Sequence, residues 1–248
     1  MQPTPKPIPG LKAIVFDLDG TLARSGLESA AALARALVQR GDLPDPTWPE
    51  RDFIAEPGYA QMLERVAAER FSGAVFPYGA WAEALQRYLV TNGAAADQAS
   101  EIVEDYVHWR VESIELRPGV HRLLERLSGF RLGLLTNGPS RLQWRKIELL
   151  KLGPLFAAII VSGDRGIYKP AAAIFQQMSE ELEVRPQESA YVGDSLYDDI
   201  AGAKGAGWWA IWLNSGQRQP DPQLYRPDRQ ISALEQLPDL LDGVVLNG

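Results

Sequence analysis

The sequence predicts an α/β protein with a parallel sheet, into which a separate helical domain is inserted. Three observations lead to this prediction. The apolar run Leu11–Phe16 has the composition of a short buried strand. An alanine-rich block with helical spacing follows, from about residue 27 to residue 113. From Arg117 onward, strand-like apolar runs alternate with helical runs, which is the pattern of βαβ units.

The second half of the chain gives the clearest element order. Strands are expected in "FRLGLLTNG", "AAIIVSGD", "SAYVGDS" and "WWAIWLN", and helices in "SRLQWRKIELLKLG", "AAAIFQQMSEELEV" and "YDDIAGAKGAG". The amphipathic piece "ISALEQLPDLL" comes last. This order predicts a Rossmann-like, doubly wound parallel sheet with helices on both faces. The α/β core domain is therefore expected to consist of residues 1–22 plus 116–248, and the inserted helical domain of residues 23–115.

The composition excludes some kinds of site. The chain has no cysteine, so it can form neither a disulfide nor a thiolate metal site. The net charge of -7 argues against binding to nucleic acid or to an anionic membrane surface, both of which favour basic patches. No apolar run is long enough to cross a membrane. We therefore expect a cytoplasmic protein with no nucleic-acid or membrane partner, present as a monomer or a homodimer.

Polar side chains follow several of the predicted strands, at the point where each strand ends. They are Asp17 and Asp19 after the first strand, Thr136 and Asn137 after the second, and Asp194 and Ser195 after the fourth. In an open parallel sheet these carboxyl ends share one edge, and ligands bind there. We therefore expect the functional site at this edge.

Two carboxylates separated by one residue, Asp17 and Asp19, repel each other unless a positive group lies close by. Oxygen-rich clusters with few nitrogen ligands suit a hard cation such as Mg²⁺. Lys169 in "YKP" and the hydroxyl of Thr136 could each hold a phosphate oxygen. The pattern is that of a site suited to a hard cation and to a phosphate group.

Four motifs together carry a resemblance to a known family. They are "DLDGT", "LLTNG", "YKP" and "GDSLYDDI", in this order, with a helical insertion after the first. This arrangement resembles the haloacid dehalogenase-like (HAD) superfamily of phosphotransferases, and the resemblance extends from Leu11 to about Asn214. The position of the insertion is similar to that of subfamily I, whose members have an α-helical cap. The resemblance thus implies a cap domain at residues 23–115.

The resemblance implies a role for each residue of the first motif. Asp17 would be the nucleophile that forms an aspartyl phosphate. Asp19 would protonate the leaving oxygen and then accept a proton from the hydrolytic water. The haloacid dehalogenases themselves resemble this pattern but lack an aspartate at the position of Asp19, so its presence favours phosphoryl transfer over carbon–halogen cleavage.

The resemblance also implies the binding groups. The metal ligands would be Asp17, the backbone carbonyl of Asp19, and Asp194. The phosphoryl group would be held by Thr136, the Asn137 backbone and Lys169, and Lys169 would also offset the charge of Asp17. Asp199 and Ser195 would support the site, with Asp198 as the alternative for the second acidic residue of the fourth motif.

The predicted function is a Mg²⁺-dependent phosphoric monoester hydrolase acting on a small phosphorylated metabolite. The segment from "LLTNG" to "YKP" is similar to the branch that contains pyrimidine 5′-nucleotidases and N-acylneuraminate-9-phosphatases. A nucleoside 5′-monophosphate is therefore one candidate substrate. Two alternatives stay open: a sugar-phosphate mutase of the same fold, and a non-catalytic protein that binds a phosphorylated ligand.

Overall fold

The computed structural model describes residues 7–25, 86, 90, 95–216 and 226–241. The chain divides into two compact units, of which the first comprises Met1–Arg24 with Glu115–Gly248 and the second comprises Ser25–Ile114. Whether the second unit acts as a cap stays a prediction.

The first unit is built around one parallel sheet of six strands. The order across the sheet is β5-β4-β1-β6-β7-β8. Its strands are β1 (Ala13–Phe16), β4 (Arg131–Thr136), β5 (Ala158–Val161), β6 (Ser189–Gly193), β7 (Trp209–Leu213) and β8 (Arg229–Ile231). The strands β2 (Ala23–Ser25) and β3 (Ile114–Leu116) form a separate two-stranded sheet. The predicted α/β fold with a parallel sheet is confirmed.

Helical segments connect the strands. The described α-helices are α1 (Ala96–Glu112), α2 (Val120–Arg126), α3 (Ser140–Leu149), α4 (Ser162–Arg165), α5 (Ala172–Glu181) and α6 (Gly202–Gly205). Three 3₁₀ segments (Gly153–Leu155, Pro186–Glu188 and Leu234–Leu240) and a π-helix (Leu196–Ala201) complete the described helical elements.

The central strand β1 is buried along its whole length, as expected for a parallel sheet covered on both faces. On one face, Val15 belongs to an apolar cluster with Phe175 and Met178 of α5. The ring of Phe175 packs edge-on against Tyr191 of β6 and against Trp208, with ring centroids 5.2 and 5.7 Å apart. This packing fixes β1 relative to its neighbours, and the candidate site lies at the ends of those strands.

In the second unit, the structure describes mainly α1. Its inward side consists of Ala99, Ile102, Val103, Tyr106 and Val111. Gln86 lies beside this helix and donates a hydrogen bond of 2.7 Å to the hydroxyl of Ser100. The three helices predicted upstream, between residues 27 and 90, lie outside the described residues apart from the single helical positions 86 and 90.

The structure differs from the predicted elements at three places. The strand predicted through Asp164 ends at Val161, because the next residues turn into α4. Strand β8 precedes the amphipathic piece near the end of the chain, and its short polar sequence gave no strand signal. The helix expected in "YDDIAGAKGAG" begins as a π-helix and continues as α6.

Among the described residues, no helix combines the length and apolar character needed to cross a membrane.

Candidate active site

Three neighbouring strands end at the site, and each delivers one of the predicted residues. Asp17 follows β1 directly, and its N–H donates to the carbonyl oxygen of Val192 in β6 at 3.0 Å. Thr136 is the last residue of β4, and Asp194 follows the last residue of β6. Because β1 lies between β4 and β6, these side chains gather at one edge of the sheet.

The Lys169 ammonium lies at the centre of the site and is almost completely buried. Its Nζ donates three hydrogen bonds of 2.7 Å, to Oδ1 of Asp17, to Oδ1 of Asp199 and to the hydroxyl of Tyr191. Three donors therefore meet three acceptors. Burial by itself would lower the pKa of Lys169, but the carboxylates of Asp17 and Asp199 raise it above its ordinary value. The lysine thus stays charged.

Two side chains hold Lys169 in place. The Asn137 side chain binds the Lys169 backbone on both sides: its Nδ2 donates to the Lys169 carbonyl at 3.0 Å, and its Oδ1 accepts from the Lys169 N–H at 2.9 Å. The Tyr191 hydroxyl accepts a hydrogen bond from the ammonium and donates one to the carbonyl oxygen of Leu135 at 2.7 Å. Sequence reasoning assigned Asn137 through its backbone only, and it missed Tyr191, which reads as an ordinary apolar strand residue.

Asp17, Asp194 and Asp199 form a cluster that could hold a cation. One carboxylate oxygen of each lies within 4.8 Å of the others. Burial raises the pKa of Asp17 from 3.8 to about 8; the Lys169 charge opposes this rise, and the charges of Asp199 and Asp194 add to it. A bound cation would remove that repulsion, and an all-oxygen donor set suits Mg²⁺. The residues present therefore fit a magnesium ion.

The fourth motif turns sharply so that Asp199 can reach the cluster. Ser195 caps the π-helix: its hydroxyl accepts from the Asp198 N–H at 3.1 Å, and its own N–H donates to Oδ2 of Asp199 at 2.9 Å. Asp198 is buried but does not belong to the three-carboxylate cluster among the described residues. The indole of Trp212 donates to the Asp194 carbonyl at 3.0 Å, a contact that the sequence did not indicate.

Gly20 allows the first motif to turn against Asp194. Its φ of +85° lies in the left-handed region, and a Cβ at this position would lie 2.7 Å from Oδ2 of Asp194. Arg117 supports the same turn, since its guanidinium donates to the Gly20 carbonyl at 2.7 Å. A side chain at position 20 would therefore displace a proposed metal ligand.

Replacing Gly20 by alanine is expected to destabilise the chain by about 1–3 kcal/mol and to weaken magnesium binding. The matched control is Gly166→Ala, because Gly166 has a φ of +65° but open space where its Cβ would lie. Chemical denaturation and magnesium titration of both variants measure the two effects. Equal magnesium affinity in the two variants would contradict the role given to the Gly20–Asp194 contact.

Asp19 lies outside the cluster and faces one side of α3. Its carboxylate accepts from Lys146 Nζ at 2.9 and 2.8 Å and from Gln143 Nε2 at 2.9 Å. Gln143 also donates to the Thr136 hydroxyl at 2.6 Å. Sequence reasoning missed both residues. The available signal was a pair of polar residues three positions apart, on one face of the helix that follows "TNG".

Comparison with known proteins identifies the family of this site. A sequence model of the haloacid dehalogenase-like hydrolases matches residues 11–207, which include all the site residues described above except Trp212. The chain belongs to this family. The resemblance predicted from the four motifs is therefore confirmed.

Relatives of known name lie in the same family. The chain is 30% identical to the glyceraldehyde 3-phosphate phosphatase of Pyrococcus furiosus, over 94% of this chain and 93% of that protein. It is also 30% identical to the N-acylneuraminate-9-phosphatase of Mus musculus, over 94% of this chain and 95% of that protein. Together with the family match, these relatives identify the chain as a phosphoric monoester hydrolase.

The fold has a solved counterpart. The crystal structure of the HAD-hydrolase YfnB from Bacillus subtilis, bound to magnesium, has a TM-score of 0.76 to this chain. The two sequences are 26% identical, and the match covers 94% of this chain and 99% of YfnB. This likeness supports the Rossmann-like α/β arrangement of the HAD-like core.

Proposed function

We propose that this HAD-like hydrolase is a Mg²⁺-dependent phosphatase that forms an aspartyl phosphate on Asp17. The observation that carries the proposal is the position of the Lys169 ammonium, 2.7 Å from Asp17 and 2.7 Å from Asp199, with Asp194 in the same cluster. The buried carboxylates of this cluster would repel an anionic phosphoryl group. Positive charge is therefore needed beside them, and the fixed Lys169 ammonium together with a bound cation would supply it.

The residues divide the first half of the reaction among themselves. An oxygen of Asp17 attacks phosphorus, and the bond between phosphorus and the leaving oxygen breaks. Asp19 gives its proton to that leaving oxygen, so that an alcohol departs. Thr136 and the Asn137 backbone hold the phosphoryl oxygens. Lys169 offsets their charge, and it binds one of these oxygens by exchanging one of its three present hydrogen bonds.

The second half of the reaction restores the enzyme. Asp19, now ionised, takes a proton from a water molecule, which attacks the aspartyl phosphate. The bond between phosphorus and the Asp17 oxygen breaks, and inorganic phosphate leaves. Asp17, Asp194 and the Asp19 carbonyl are the proposed metal ligands, with Asp199 in support. A magnesium ion held there would supply positive charge against the phosphoryl group.

We propose a small phosphorylated metabolite as the substrate. The relatives are named for glyceraldehyde 3-phosphate and for N-acylneuraminate 9-phosphate, and the sequence also suggested nucleoside 5′-monophosphates. These three classes share a primary phosphate ester and differ in the group that departs. They therefore form the test panel.

The test is phosphate release from this panel, with Mg²⁺ and again with EDTA. We expect phosphate release that requires Mg²⁺. One inorganic phosphate should appear for each alcohol formed. A phosphorylated isomer in place of free phosphate would favour the mutase alternative. Ligand binding without turnover on any member of the panel would favour the non-catalytic alternative, and phosphate release that persists in EDTA would contradict the magnesium requirement.

A further inference from the structure

One face of α3 presents a pair of polar side chains to the first motif. Gln143 and Lys146 lie three residues apart in Ser140–Leu149, so they share one face of the helix. Gln143 is only 2% exposed, which is unusual for an amide side chain and calls for hydrogen-bond partners. Its partners are Asp19 and Thr136.

Three hydrogen bonds hold the Asp19 carboxylate. Lys146 Nζ reaches both oxygens, at 2.9 Å and 2.8 Å, and Gln143 Nε2 reaches Oδ2 at 2.9 Å. The Lys146 side chain is 16% exposed and that of Asp19 is 44% exposed, so the pair is partly shielded from water on the lysine side. A half-exposed carboxylate in a turn would otherwise be free to change rotamer.

Gln143 also sets the direction of the Thr136 hydroxyl. The Nε2 group has two hydrogens, and the two bonds to Asp19 and to Thr136 use both of them. Because Thr136 Oγ1 accepts from Gln143, its own hydrogen points away from Gln143. That hydrogen is then oriented to donate to a phosphate oxygen.

The loop before α3 is shaped to admit Gln143. A Cβ on Gly138 would lie 2.5 Å from Cγ of Gln143, so a larger residue at position 138 would push the amide away from Asp19. The Gly138 N–H donates to the buried hydroxyl of Ser162 at 3.0 Å, which fixes this loop against the end of β5. The close approach of Gln143 is therefore built into the backbone around it.

We propose that Gln143 and Lys146 are positioning residues that hold the Asp19 carboxyl group in reach of the leaving oxygen. The inference rests on the proposed function, in which Asp19 is the acid and base. The two residues act through Asp19, and Gln143 also acts through Thr136. Without them, Asp19 retains its chemistry but is seldom in the productive rotamer.

The test compares two substrates that differ mainly in the basicity of the leaving group: phenyl phosphate and p-nitrophenyl phosphate. Phenolate leaves poorly and needs the proton of Asp19, whereas p-nitrophenolate leaves without one. The value of kcat/KM reports the phosphorylation step for both. A residue that only binds phosphate would affect both substrates equally.

We expect Lys146→Met and Gln143→Met to lower kcat/KM for phenyl phosphate by about 10²-fold and for p-nitrophenyl phosphate by less than about tenfold. Asp19→Asn should show the same selectivity with a larger loss, and Lys146→Arg should recover most of the activity on phenyl phosphate. Arg145→Met is the matched control, because Arg145 lies on the same helix and pairs with Glu148 at the surface.

An equal loss on both substrates in an active protein would overturn the positioning role and leave the proposed function standing. Absence of phosphate release by the wild-type chain would overturn the proposed function and this inference with it. Thermal unfolding of each variant identifies misfolding. If Gln143→Met is unfolded, Lys146→Met and Lys146→Arg still give the comparison.

Discussion

Replacing Asp17 by asparagine is expected to stop phosphate release, with kcat falling at least about 10⁴-fold below that of the wild-type chain. The amide has nearly the shape of the carboxylate but cannot attack phosphorus. Phosphate release and trapping of the phosphoenzyme with a radiolabelled substrate measure the two consequences. Asp198→Asn is the matched control, since Asp198 is also buried but lies outside the three-carboxylate cluster of the described residues.

The same substitution is expected to raise the melting temperature of the metal-free protein. Burial raises the pKa of Asp17 to about 8, against 3.8 for an ordinary aspartate, so the folded state holds this proton more tightly than the unfolded state does. The contribution of Asp17 to the stability of the wild-type chain therefore falls as pH rises from about 4 to about 8. Asparagine does not titrate, so in EDTA the stability of Asp17→Asn relative to the wild-type chain should increase across this pH window.

Adding Mg²⁺ should reverse the order of stability, because only the carboxylate can bind the cation and gain stability from it. Thermal unfolding of both proteins at several pH values, with EDTA and with Mg²⁺, covers both conditions. A wild-type chain that is more stable than Asp17→Asn in EDTA throughout this pH window would contradict the account of Asp17 as a carboxyl group whose ionised form is destabilised by burial.

Replacing Lys169 by methionine is expected to remove activity and to destabilise the fold by about 3–5 kcal/mol, because it leaves buried carboxylates without their cation. Asp17 and Asp199 each lose a 2.7 Å charged hydrogen bond, and Tyr191 loses its donor. The loss of a fixed charge at the phosphoryl group lowers kcat by at least about 10²–10³-fold. Urea unfolding and phosphate release measure the two effects.

The matched control for Lys169→Met is Lys204→Met. Lys204 also forms a 2.7 Å ion pair, with Asp228, but its side chain is 42% exposed. Such a surface pair contributes about 0–1 kcal/mol, so stability and activity should hardly change. Equal losses of stability in the two variants would contradict the claim that the buried ion pairs of Lys169 stabilise the fold more than an exposed ion pair does. In Lys169→Met, the loss should also be larger in alkaline buffer, where Asp17 is ionised.

The sequence predicts the fold and the strand-end residues because both depend on local patterns. Apolar runs that end in polar turns placed Asp17, Thr136 and Asp194 at the ends of β1, β4 and β6. In the structure, Asp17 and Asp194 directly follow β1 and β6, and Thr136 is the last residue of β4. The strand β8 was missed because an edge strand of three residues has no room for a periodic pattern. The turn at α4 was missed because "SGD" fits a strand end as well as a short helix.

The contacts between distant segments could not be predicted in the same way. Asp19 and Lys146 are separated by 127 positions, and Asp17 and Lys169 by 152. Which lysine reaches which carboxylate depends on packing angles and rotamers that no local pattern contains. The resemblance implied that Lys169 of "YKP" would offset the charge of Asp17, and no motif indicated Lys146.

Because the site residues come from the three neighbouring strands β4, β1 and β6, the site is complete only when these strands are in their native register. Phe16 pairs with Leu134 on one side and with Val192 on the other, which brings the residues after all three strands level with one another. A slip of β1 by one residue would turn the Asp17 side chain to the opposite face of the sheet. Cation binding can therefore report, during refolding, the moment when the central strands reach their native alignment.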